Sequence, residues 1–237
     1  MSSHVITACR VDESRLRALA GSMDSGGAYG PELGDWPRNV ISRHAVAYSC
    51  GTLTRAGAAR EHRHDPVELQ QCQEFAAQAA KLMVGVEPVG SEADSGGAFL
   101  PFFITANVGA AREAHLDEAT IREAFGRTIY PPAEIVLEPL VEGGVWWQDV
   151  VDSYEESYHH PVPPRTSLEE RLRPWRKLMR WFHRRKALRE PSFVSIGEFP
   201  MGDWGGQVNY GWIFPRLALA ITRSGSLVGI CGEVVHT

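Results

Sequence analysis

Through the middle of the chain the apolar positions recur every three to four residues. Cys72, Phe75, Ala76, Ala79, Leu82 and Met83 share one side of a helical wheel. Just upstream, Asp65-Pro66-Val67-Glu68 supplies an N-cap aspartate, a proline at the first helical position and a glutamate at the third. This order predicts a capping box and a helix running to about Val84. Asp117 to Phe125 predicts a second helix, stopped by Gly126. From Gly144 to Tyr158, Trp146, Trp147, Val150, Val151, Tyr154 and Tyr158 form one face, while Asp149, Asp152, Glu155 and Glu156 lie opposite.

The next helix is the most asymmetric. Thr166 and Ser167 are good caps, and Glu169 and Glu170 sit in the first turn. Leu168, Leu172, Trp175, Met179 and Phe182 fall within about 80° of arc, a narrow core-facing stripe. Arg173, Arg176, Lys177, Arg180 and Arg184 cluster opposite, with Trp181 and Leu188 beside them. Pro174 predicts either a kink or the start of a second helix. Weaker helical patterns run from Asp12 to Ala20 and from Asn39 to Ala59.

Other segments alternate as strands do. These are Val5 to Val11, Phe99 to Val108, Glu134 to Val141, Phe193 to Phe199, and Arg216 to Val235. Ser224-Gly225 splits the last of these into an antiparallel hairpin. Helices mixed with separated strands predict an α+β fold, read as a single domain over 1–237. A sub-boundary falls near 160–166, where His160-Pro161-Val162-Pro163-Pro164 forms a stiff connector. Asp24 to Gly34 is a Gly- and Ser-rich loop. Its Asp24-Ser25-Gly26-Gly27-Ala28 recurs at Asp94-Ser95-Gly96-Gly97-Ala98, with a cousin at Asp203-Trp204-Gly205-Gly206, which predicts similar turns.

Composition adds two constraints. No apolar run reaches membrane-spanning length, and the amino-terminal residues lack the pattern of a secretory signal. Cys9, Cys50, Cys72 and Cys231 are scattered and form no CxxC pair, so they predict buried thiols and a reducing, cytoplasmic setting.

Charge changes the picture more. The chain carries a formal −5, yet residues 165–189 hold 10 of its 24 Lys and Arg residues against two glutamates. A basic block on an acidic protein points to an acidic partner, or to the chain's own acidic stretch over 134–156. The leading expectation is therefore a non-catalytic binding or assembly protein. It would dock an acidic protein surface through Arg173, Arg176, Lys177, Arg180, Trp181 and Arg184. Nucleic-acid binding ranks lower, because the chain as a whole is not basic.

Enzymatic readings rest on fewer residues. The DSGG tetrapeptide resembles the nucleophile loop of trypsin-like serine proteases, which implies a two-barrel fold. Ser25 and Ser95 come too early for that family, and Trp204 stands where the third copy needs serine. A divalent transition metal is the better enzymatic alternative. Asp152, Glu156 and His159 share a polar helical face and would join His62 and His64 from a loop. No Gly-rich nucleotide fingerprint is present.

Overall fold

The computed structural model describes residues 41, 45–48, 50–55, 63–88, 95–96, 98–109, 114–129, 133–158, 167–197 and 212–236. Eight strands and four helices are mixed along them. They are β1 (Ala45–Ala47), β2 (Leu53–Arg55), α1 (Pro66–Leu82), β3 (Ser95–Gly96), β4 (Leu100–Ile104), α2 (Glu118–Ala124), β5 (Ile135–Pro139), α3 (Val145–Tyr158), α4 (Leu168–Arg184), β6 (Leu188–Ile196), β7 (Trp212–Thr222) and β8 (Leu227–His236). The fold is α+β, as its pattern predicts. The N-terminal strand, helix and loop, and two of the three glycine-rich turns, lie outside the described residues.

β5, β6, β7 and β8 form an antiparallel sheet in chain order, and β3 and β4 both pair with the outer side of β8. Both faces of the central strands β7 and β8 are largely buried, so the sheet separates two cores. On β7, Leu217, Leu219 and Ile221 enter one core while Ala218 and Ala220 enter the other, as a period of two requires. The first core also takes Leu53, Ile121 and Phe125 from the β1–β2 hairpin and α2. The second receives α1, α3 and α4. There the alanines of β7 share a layer with large rings. Trp146 stacks on Phe193 at 4.8 Å, and Trp175 meets Phe99 edge-on at 5.3 Å. α3 and α4 flank residues 159–166, which lie outside the described set, and bury Trp146, Trp147, Tyr154, Trp175 and Phe182 in this core.

The helix termini follow local chemistry. Asp65 accepts from the Val67 N–H at 2.8 Å, Asp117 from the Thr120 N–H at 2.8 Å, and Ser167 forms a capping box with Glu170. The box expected at Glu68 is not made, because that carboxylate turns away to Thr222. Glu138 of β5 caps α3 instead, accepting from Val145 N–H and Trp146 N–H at 2.7 and 3.0 Å. α4 runs unbroken through Pro174. The lost N–H costs one helical bond, and the buried stripe on both sides holds the axis.

Two expectations need correction. In place of a helix over 39–59, the described residues there include the β1–β2 hairpin, with Ala45 opposite Arg55. Its turn holds Gly51 at φ 86, against Phe103, where a side chain would not fit. Leu188 does not flank the basic face. It begins β6 and is buried, because Arg185 adopts an extended conformation and ends the helix.

β6 contains an irregularity between Arg189 and Ser192, with Glu190 at φ 51. This left-handed residue is held by its own side chain. Its carboxylate accepts from Leu116 N–H at 2.7 Å and hydrogen-bonds His115 Nδ1 at 2.8 Å. These contacts, led by the Leu116 N–H, hold the Glu190 carboxyl below its ordinary range. A depressed carboxyl contributes stability above its unfolded value, and loses it as pH falls through the folded one. Glu190→Gln should therefore flatten the acid limb of stability, read from urea midpoints between about pH 3 and 7.

A side chain at Gly229 of β8 would fall on the Ala218 carbonyl of β7. Gly229→Ala should lower stability by about 2–3 kcal/mol in chemical denaturation, through strand separation with little change in surface chemistry.

Candidate functional site

α4 is pinned to the core by one face and presents cations on the other. Leu172, Trp175, Leu178, Met179 and Phe182 are buried, and Leu168 packs partly against the same cluster. Trp175 is fully buried, and its indole N–H donates to the Tyr154 hydroxyl at 3.1 Å. This anchoring leaves Arg173, Lys177, Arg180 and Arg184 exposed.

Part of the basic block is answered within the fold. Arg176 Nε lies 3.1 Å from both carboxylate oxygens of Glu142, and its Nη1 reaches Glu169. Those two carboxylates push the Arg176 pKa further up. Its guanidinium also sits 5.7 Å from the Trp147 ring. Arg173 approaches Glu170 at 3.9 Å, a loose surface pair worth little. Arg171 donates to the Tyr154 carbonyl at 2.7 Å and covers the Tyr154 ring at 4.3 Å. His183 Nε2 meets the Leu140 carbonyl at 3.0 Å.

Lys177, Arg180 and Arg184 differ. Among the described residues none of the three pairs with a carboxylate. Arg180 Nε donates only to the Arg176 carbonyl, at 3.2 Å. These residues border an open pocket of about 470 Å³ between α1 and α4, completed by Leu82, Trp181 and Arg185.

Trp181 is half-buried in the α1–α4 seam. It meets Phe75 of α1 edge-on at 6.2 Å and Phe182 at 4.9 Å. The Arg185 guanidinium lies 4.5 Å from the Trp181 ring and 5.2 Å from Phe75, and donates to Gln78 Oε1 at 2.5 Å. Arg185 thus joins the two helices. In the sequence Arg185 shows only as charge, because its partners on α1 lie far away along the chain.

Of the five candidate metal ligands, His64 and Asp152 have described side chains. His62 and His159 lie outside them, and Glu156 lies on α3 with its side chain outside the described set. His64 stands just before α1. Asp152, on α3, accepts from Gln148 Nε2 at 2.7 Å. No group of three or more His, Cys, Asp or Glu side chains is placed to hold a metal among the described residues.

A polar cluster that the sequence did not signal joins α1 to the β7–β8 turn. Thr222 Oγ1 donates to Glu68 at 2.5 Å and accepts from Ser226 N–H at 3.0 Å. Ser226 Oγ accepts from Ala106 N–H at 3.0 Å. Cys72 lies beside this group, with its sulfur 3.9 Å from Glu68 Oε1. Burial, helped by the Glu68 charge, pushes its thiol up to about 12. Burial raises the Cys231 thiol as well, and Cys50 is buried against Thr52. A thiol held protonated is a poor nucleophile. In the native protein, iodoacetamide at about pH 8 should leave Cys72 and Cys231 unlabelled, with both reacting in denaturant, as peptide mass spectrometry would show.

No protein-family model matches the chain, and no curated protein matches it either.

Proposed function

We propose that this protein works by binding, docking an acidic partner protein through the exposed face of α4 as an adaptor, assembly subunit or inhibitor-like partner. The observation that carries this reading is the split in the basic block. Arg171, Arg176 and Arg185 are engaged inside the fold, while Lys177, Arg180 and Arg184 face solvent around an open pocket without a carboxylate partner among the described residues. Cations at successive helical turns repel one another, by a few tenths of a kcal/mol per pair. An acidic surface would relieve that repulsion and speed encounter.

Several features support a protein partner over nucleic acid. The chain is acidic overall, at −5, and Glu142, Glu169 and Glu170 border the basic face. A nucleic-acid backbone meets carboxylates unfavourably there, whereas a protein surface of mixed charge can match both signs. The free thiols Cys50, Cys72 and Cys231 support a reducing, cytoplasmic setting for this partnership. Among the described residues no helix is long and apolar enough to cross a membrane.

The test is the triple variant Lys177→Glu, Arg180→Glu, Arg184→Glu. These side chains are exposed, so its unfolding free energy in urea should match the parent's within about 0.5 kcal/mol. Affinity capture from the native lysate should recover an acidic protein with the parent and lose it with the variant. Equal recovery by a well-folded variant removes the reading, and recovery abolished by nuclease replaces it with nucleic-acid binding.

A further inference from the structure

We infer that the groove between α1 and α4 receives an acidic amphipathic helix of the partner, which seats an apolar side chain on Leu82 and Trp181 and sets carboxylates against Lys177, Arg180 and Arg184. This inference rests on the binding reading above and names the element that is bound.

The spacing of the cations is the first argument. Lys177, Arg180 and Arg184 follow one another at about one helical turn, so their charges repeat at roughly 5 Å along α4. A helix with acidic residues three and four apart carries carboxylates at the same pitch. The pocket they border holds about 470 Å³ and offers Leu82 and Trp181 as its apolar surfaces. That space suits one or two anchoring side chains, with the helix that bears them lying across the mouth.

Backbone hydrogen bonding also favours a helical ligand. The pocket is lined by the last two turns of α4, its C-cap Arg185 and Leu82 at the end of α1, with no strand among its lining residues. An extended peptide laid here would find no strand edge to pair with. A helical ligand satisfies its own main chain and needs only side-chain complementarity, the usual mode for a groove of this kind.

Rigidity is the third. The Arg185 guanidinium caps the Phe75–Trp181 pair from one side and is hydrogen-bonded to Gln78. It fixes the separation of the two helices at this level, so little order must be gained on binding. The same contact weighs against a nucleobase, because the guanidinium occupies ring surface of Trp181 that stacking would require.

The experiment uses the full chain and labelled synthetic peptides of about 16 residues, long enough for four helical turns. One peptide carries three glutamates one turn apart flanking a leucine. The other has the same composition in scrambled order. Fluorescence anisotropy at near-physiological salt should show the patterned peptide binding about tenfold tighter or more, a difference of about 1.4 kcal/mol. Arg180→Glu/Arg184→Glu should abolish that binding, and a peptide with lysines in place of the glutamates should restore it to the double variant. Equal binding of both peptides, or absence of this charge-swap rescue, overturns the helical inference. An equally charged single-stranded oligonucleotide that competes as well as the patterned peptide also overturns it. If the peptides fail while lysate capture still depends on Lys177, Arg180 and Arg184, the inference falls and the binding reading stands. If both fail, both are withdrawn.

Discussion

The burial of Trp175 is the constraint on which the exposed surface of this protein depends. Its ring meets Phe99 beside β4, Trp146 on α3 and Phe193 on β6, and its N–H is satisfied by Tyr154. A tryptophan in such a setting contributes several kcal/mol, and truncating one to alanine typically costs about 3–5. The fixed ring fixes the rotation of α4 about its own axis. Once that rotation is set, the positions of Lys177, Arg180 and Arg184 follow from helical geometry. The basic face is thus a by-product of core packing, and the sequence then decides how much of its charge is answered locally.

That local answer is graded. Arg176 is held by two carboxylates from different segments, Glu142 before α3 and Glu169 in the first turn of α4. Arg171 and Arg185 use aromatic faces and neutral acceptors instead. A guanidinium suits both tasks because it is flat, weakly hydrated and forked. Beyond these three, the cations on the outer turns face water. The boundary between the two sets marks where structural charge ends and surface chemistry begins.

Most of the regular structure was legible because it is locally encoded. Asp65, Asp117 and Ser167 announced their helices, and the stripe from Leu172 to Phe182 announced the buried face of α4. What escaped was non-local. Glu68 looked like half of a capping box, yet its carboxylate serves Thr222, 154 residues away. β1 and β2 are three residues each, too short for alternation to outvote a helical pattern. The end of α4 carries neither glycine nor proline, so nothing local separated Leu188 from the helix. The cations of the candidate site were visible as a block. The pocket was not, because Leu82 and the aromatic contact of Arg185 come from a distant helix.

The hydrogen bond between Gln78 and Arg185 spans 107 residues. Closing so long a loop costs more chain entropy than forming the β7–β8 hairpin, so the contact depends on the rest of the fold to hold its ends together. The α1–α4 groove therefore belongs to the finished fold and not to the basic helix as a peptide. An unfolded or partly folded chain displays the same positive charges without the cleft between them. Recognition by the groove would accordingly report on maturation, distinguishing completed molecules from nascent ones that share their sequence and charge.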